Sequence, residues 1–160
     1  MIETEQMTPF LLIFALLGSQ LGPPQELWFF PIVQGQIVRA YRAPETPYGA
    51  GHRGIDIGAN LDEELVSPTS GSISFNGKVG YRNLITIDSS YGTLTMEPVC
   101  SDLPVGEIVQ PGSPIGRVCS PDPEYTWHCE LCLHLGLKTE DGYLSPELYL
   151  GGLKPSRLLP

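Results

Sequence analysis

The chain has 160 residues, a length that suits one domain with its own core. Its 18 Gly and 16 Pro make up about a fifth of the residues, well above ordinary usage, while a hydrophobic content of 41% is too high for a disordered chain. Nine Lys and Arg against 18 Asp and Glu leave a net charge of −9, which argues against nucleic acid and against an anionic membrane surface as partners, and the long amphipathic patterns of a helical bundle are absent.

Residues 1–24 read as a leader. Phe10 to Leu17 runs F-L-L-I-F-A-L-L, and the apolar tone extends from about Thr8 to Leu21. That matches the apolar region of a signal peptide and falls short of the ~20 residues of a spanning helix. The expectation is a signal peptide or a short anchor. Against it, the first basic residue is Arg39, Glu3 and Glu5 precede the run unless translation starts at Met7, and Leu17-Gly18-Ser19 is only a tolerable cleavage site. The other reading is a short amphipathic helix packed on the domain.

From residue 28 to 152 the pattern is that of short strands, with 153–160 left as a tail. Strands are predicted at Val33 to Tyr41, Gly54 to Gly58, Ser70 to Phe75, Leu84 to Asp88, Thr93 to Val99, Ile108-Val109, Ile115 to Cys119 and Leu131 to Lys138. Gly, Asn, Pro or Ser fence each of them, and the spacing is that of an all-β antiparallel sandwich or barrel. Asn76-Gly77 has the composition of a two-residue hairpin turn. Pro146 to Leu150 reads as a single helical turn, and Pro121 to Trp127 as a loop.

Four cysteines, Cys100, Cys119, Cys129 and Cys132, form an even set that fits two disulfides in an oxidising compartment. Three connectivities are open. Buried thiols, half of a zinc ribbon or a redox pair at Cys129-x-x-Cys132 are the alternatives, but no second C-x-x-C completes a ribbon and no thioredoxin-like context surrounds this one.

The chain has three histidines, His52, His128 and His134. His52 and Asp56 form H-x-x-x-D at the mouth of a strand, where positions four apart share a face. His134 lies in the late strand C-L-H-L-G-L and can add a third ligand from a neighbouring strand. Two histidines and a carboxylate suit Zn²⁺ in a three-ligand site with an open fourth position. Taken alone, the motif also fits an exposed turn histidine beside a capping aspartate.

Its context adds to this. The run G-H-R-G-I-D-I-G-A at Gly51 to Ala59 resembles the zinc motif of the lysostaphin- and LytM-type peptidoglycan endopeptidases. Val66 to Ile73 resembles the V-x-A-x-x-x-G-x-V strand pair of that family, and Val105 to Gly116 its V-G-x-x-V-x-x-G-x-x-I-G hairpin. Leu133 to Leu137 is similar to the second half of its H-x-H strand, and Tyr143 to Pro146 to the ending that follows. The ordered set covers roughly Ile37 to Leu150. A biotinyl or lipoyl carrier shares part of this rhythm but needs a lysine at a hairpin tip, and Lys78 lies past Asn76-Gly77 without flanking methionines.

The resemblance implies the lysostaphin-type peptidase fold, zinc held by His52, Asp56 and His134, and hydrolysis of peptidoglycan peptide bonds; with the leader and the cysteines, an exported or cell-envelope protein is expected, acting as a monomer. It also implies two further histidines beside the metal. The first corresponds to Cys132; the second falls within Thr93 to Val99, at Pro98 with Glu97 beside it, and no histidine lies between His52 and His128. A positioned acid or base is worth about 10²–10⁴ in rate and an oxyanion donor about 10²–10³. Weak or absent hydrolysis is therefore expected unless Glu97 or His128 substitutes, and binding of wall peptide or of a partner cell-wall hydrolase is the corresponding role. Cys100 and Cys119 end two strands with the V-G…I-G hairpin between them, so a Cys100–Cys119 bridge is expected, with Cys129 and Cys132 paired locally before His134.

Overall fold

The computed structural model describes residues 27–120, 129 and 131–151. The leader at 1–24, most of the loop holding His128, and the tail at 153–160 lie outside the described residues. The strands are β1 (Ile37–Arg39), β2 (Gly54–Gly58), β3 (Glu64–Val66), β4 (Gly71–Val79), β5 (Arg82–Ser89), β6 (Gly92–Glu97), β7 (Val99–Cys100), β8 (Ile108–Val109), β9 (Pro114–Val118), β10 (Cys132–Thr139) and β11 (Gly142–Leu144). A 3-10 turn at Pro146–Leu148 follows. The larger sheet runs β1-β2-β10-β6-β5-β4-β8, with β11 beside β10, and the smaller runs β3-β9-β7. Every pairing among these strands is antiparallel. This is the all-β architecture expected from the sequence.

Period-two alternation sorts the central strands. On β2 and β10, Ile55, Ile57, Leu133, Leu135 and Leu137 are fully buried, as are Leu94 and Met96 on β6 and Ile85 and Ile87 on β5. Leu65, Val99, Ile115 and Val118 complete the core from the smaller sheet. The intervening residues, Gly54, Asp56 and Gly58, then Cys132, His134 and Gly136, then Thr93, Thr95 and Glu97, project to the opposite face. Trp28 closes one end of the core, stacked on Tyr149 with ring centroids 4.6 Å apart. Its backbone N–H donates to the Tyr149 carbonyl at 2.9 Å.

Several local expectations are corrected. Asn76-Gly77 is not a turn: both residues lie inside β4, and the β4–β5 hairpin turns at Gly80-Tyr81. Gly80 has the left-handed φ of +60° that such a turn favours. The Asn76 amide instead donates to the carbonyls of Ser101 (3.0 Å) and Leu103 (2.8 Å), tying down the loop after β7. The strand expected over Thr93 to Val99 is two strands in different sheets, divided at Pro98, which has no N–H to give a ladder. Val33 to Tyr41 contributes only the three residues of β1, because a turn bond from Gly35 N–H to the Ile32 carbonyl occupies its first half. β3 and β11, three residues each, are too short for their alternation to be read.

Cys100 is bonded to Cys119, and Cys129 to Cys132, with Cα separations of 5.5 and 6.0 Å, inside the span of a disulfide. The first ties β7 to the end of β9 across a sequence separation of 19. On chain-entropy grounds a bridge of that span stabilises by about 3 kcal/mol. A Cys100→Ser/Cys119→Ser chain is therefore expected to unfold in denaturant with a loss near that value, while Cys129→Ser, which opens a loop of only a few residues, should lose clearly less. Equal losses would show that the entropic argument does not govern these bridges.

Candidate metal centre

Asp56 and His134 are direct partners in the β2–β10 ladder, so their side chains rise together from the face opposite the core. His52 stands just before β2. It is placed by a reciprocal backbone pair with Arg42, with His52 N–H to the Arg42 carbonyl at 2.8 Å and Arg42 N–H to the His52 carbonyl at 3.0 Å. The four-residue spacing brings its imidazole back over Asp56. His52 Nε2 lies 3.0 Å and His134 Nδ1 2.8 Å from the same oxygen, Asp56 Oδ1. The two rings are 5.0 Å apart, centroid to centroid. All three ligand atoms fall within 4.8 Å of one another.

The hydrogen-bond geometry of His52 suits a cation. His52 Nδ1 faces the Ala40 carbonyl at 2.8 Å, an acceptor, so Nδ1 carries the proton and donates it. In the neutral ring Nε2 then turns a lone pair toward the Asp56 carboxylate. Two acceptors facing each other at 3.0 Å need either a second proton on the ring or a cation between them. A divalent ion meets that need, His134 Nδ1 beside the same carboxylate oxygen is placed to be its second nitrogen ligand, and the Ala40 carbonyl is the outer-shell partner that fixes a metal-binding histidine. Zn²⁺ fits the donor set: two nitrogens and one carboxylate oxygen, with one direction left over. Asp56 is fully buried and His134 remains partly exposed, so access is from the His134 side.

Gly54 makes room for the His134 ring. A Cβ at Gly54 would come within 2.7 Å of His134 Nε2 and would strike the Leu135 carbonyl oxygen. The G-I-D-I-G run marks this glycine in the sequence, but its partner ring is visible only in the fold.

On β6, Glu97 is the ladder partner of His134. Glu97 thus stands across from the last histidine, and Pro98 follows it past the end of β6. Glu97 is almost wholly buried; its Oε1 accepts from Arg82 Nη1 at 3.0 Å, and its Oε2 has no hydrogen-bond partner among the described residues. Arg82 carries no signal in the sequence, because its pairing is set by the β5–β6 alignment. Arg53, Arg82, Glu97, His134, Lys138 and Tyr143 line an open groove of about 320 Å³ along this face. Arg53 donates to the carbonyls of Pro47 (2.9 Å) and Gly49 (3.1 Å) and lies 5.7 Å from the Tyr143 ring centre, fixing one rim. Cys132, two residues before His134, shares its face but is held in the bridge to Cys129. His128 lies outside the described residues.

Purified protein is expected to carry about one zinc per chain, the stoichiometry of one three-ligand site. His134→Ala should abolish its retention through gel filtration, and His128→Ala should not. Gly54→Ala should lower retention without touching a ligand, by displacing the His134 ring. Retention by His134→Ala would contradict the assignment.

The chain matches the peptidase family M23 over residues 50–146, a stretch that begins just before His52 and ends beyond His134. A curated relative, an uncharacterized protein of Mycobacterium tuberculosis, is 28% identical over 151 residues, covering 90% of this chain and 55% of its own length, so the chain spans about half of that relative. Among solved structures, the catalytic domain of the antimicrobial peptidase lysostaphin from Staphylococcus simulans superposes with a TM-score of 0.60 at 20% identity, covering 73% of this chain and 92% of that one. A zinc-containing peptidase from Vibrio cholerae superposes at 0.61 with 15% identity, covering 75% and 39%. At these identities the structural likeness concerns the fold; the family match itself spans more than half of the chain, and on that ground the protein belongs to peptidase family M23.

Proposed function

We propose that this domain holds zinc through His52, Asp56 and His134 and is directed at peptidoglycan peptides in the cell envelope, binding them with weak or no hydrolysis. The observation that carries the reading is the contrast between the three converged ligands and their neighbours on the same face. When bound, zinc supplies Lewis-acid polarisation of a carbonyl and activation of water. Hydrolysis also needs a group to take and return a proton and a donor to hold the oxyanion. Beside His134, Cys132 is consumed in a disulfide and has no proton to give. Glu97 has one oxygen committed to the Arg82 guanidinium, which holds that oxygen away from an attacking water. The groove along His134, Arg82 and Lys138 still offers a place for an extended peptide.

Membership in M23 relates the chain to peptidoglycan endopeptidases. Export, attachment to the envelope and a partner hydrolase are part of the proposal. Among the described residues no helix is long and apolar enough to cross a membrane. The leader that would carry the export signal is outside them.

A second reading, an active endopeptidase, has one specific observation in its favour. Glu97 Oε2 is buried, has no hydrogen-bond partner among the described residues, and belongs to the strand directly beside His134. Glutamate serves as general base in other zinc peptidases. The test is hydrolysis of purified cell wall and of short glycine or stem peptides by zinc-loaded protein. Retention on cell wall without release of peptides is expected. Zinc-dependent turnover near ~1 per second, an ordinary enzyme rate, would overturn the first reading. Loss of that turnover by about 10²–10⁴ in Glu97→Gln would then establish Glu97 as the base.

A further inference from the structure

Asp56 belongs to two groups of potential ligands. One is the triad with His52 and His134; the other joins Asp56 to Cys129 and Cys132, again with ligand atoms within 4.8 Å of one another. Neither histidine belongs to the second group, so Cys132 reaches the ion of the triad only by turning toward it once the bridge is opened; with zinc–sulfur and zinc–oxygen distances of about 2.3 and 2.0–2.2 Å, a sulfur and a carboxylate oxygen this close can share one ion. Cys132 lies on the same face of β10 as His134, two residues earlier, and its ladder partner is Gly58, which has no side chain to stand between the sulfur and Asp56. The Cys132 side chain is buried, whereas Cys129 is half-buried and sits outside any strand.

We propose that the Cys129–Cys132 disulfide is a redox gate on the metal centre: oxidised, it leaves zinc three ligands and an open position; reduced, it releases Cys132 as a fourth ligand that closes the site. The inference rests on the reading of His52, Asp56 and His134 as metal ligands. A closed set of two imidazoles, one carboxylate and one thiolate has the ligand count of structural zinc sites, in which no position remains for substrate.

The reductant is a dithiol. One of its thiolates attacks Cys129 Sγ, the more accessible sulfur, forming a mixed disulfide while the Cys129–Cys132 bond breaks and Cys132 Sγ leaves with the electron pair. The second thiol of the reductant then attacks its own sulfur in the mixed disulfide, which frees Cys129 as a thiol. The reductant ends as a disulfide, having given up two electrons and two protons. One proton stays on Cys129; the other is returned to solvent when Cys132 binds the metal. Reoxidation reverses these steps and reopens the site. In a reducing compartment the domain is thus shut, and it opens where disulfides form.

Cobalt(II), titrated into the full chain under anaerobic conditions, tests this without any assay of activity. Oxidised protein should show cobalt d–d absorption with no sulfur-to-cobalt charge-transfer band. Protein reduced by a dithiol and then freed of it should gain that band in the near ultraviolet. Changes in the outer shell alone move zinc affinity by about 10–100-fold, so a fourth direct ligand should tighten zinc by at least about tenfold, read by competition with a chromophoric chelator. Cys129→Ser leaves Cys132 free and should show band and affinity with no reductant, while Cys100–Cys119 stays intact. Reduced Cys132→Ser should show neither, although it still contains the thiols of Cys100 and Cys119. Should Cys129→Ser not fold, reduced wild type carries the same readout. Cobalt binding with no band and no change in affinity on reduction would overturn the gate and leave the triad standing. A band that persists in reduced Cys132→Ser would overturn the assignment of Cys132. No cobalt bound by the oxidised chain would overturn both the gate and the metal reading.

Discussion

The register between β2 and β10 is the constraint on which the site depends. Asp56 faces His134 and Ile55 faces Leu135 across the same ladder, and His134 in turn faces Glu97 on β6. Because side chains alternate with period two, a slip of one residue would send Asp56 and His134 into the core and bring leucines and isoleucines to the groove. What resists the slip is the other face. Ile55, Ile57, Leu133, Leu135 and Leu137 are fully buried, each worth about 1.5–3 kcal/mol relative to exposure. Expelling them together would cost as much as a whole domain's stability of about 5–15 kcal/mol. Core and site are the two faces of the same strands, so the packing that makes the fold also sets the ligand geometry.

That arrangement has a local cost. Asp56 is a fully buried carboxylate, and buried charges are retained where they are paired or bind metal. Its neighbours are two imidazoles, one of them fixed by the Ala40 carbonyl so that its other nitrogen aims at the carboxylate. Such a cluster is poor as a stabilising element and well suited to a cation. Local choices that conflict with stability are expected at functional sites. Gly54 belongs with them: a residue with a side chain would strengthen the strand, but the His134 ring occupies that space.

Much of this was legible in the sequence where alternation was strong. G-I-D-I-G and C-L-H-L-G-L declare strands with a polar residue set between apolar ones, and they are β2 and β10. The H-x-x-x-D spacing and the late histidine, ambiguous alone, singled out through their resemblance to the lysostaphin-type pattern three residues whose ligand atoms lie within 4.8 Å. What stayed hidden depends on contacts distant in sequence. Asn76 looks like a turn residue, yet its amide is taken by carbonyls about 25 residues away, at Ser101 and Leu103. The passage at Pro98 from one sheet to the other cannot be read from T-L-T-M-E-P-V, because its continuous apolar pattern serves two sheets. That Glu97 stands opposite His134 is decided by the β6–β10 register, which is invisible locally.

The same register places the disulfide sulfur of Cys132 and the Arg82-paired carboxylate of Glu97 on the His134 face. The chain combines a cluster whose geometry suits a cation with neighbours already committed to other partners. The most direct test is the structure of the oxidised protein crystallised with zinc. The account predicts one ion held by His52 Nε2, Asp56 Oδ1 and His134 Nδ1, with the Cys129–Cys132 bridge intact and the fourth direction open toward the groove. An ion held elsewhere, or a site in which His134 turns away and leaves Asp56 without metal, would contradict it.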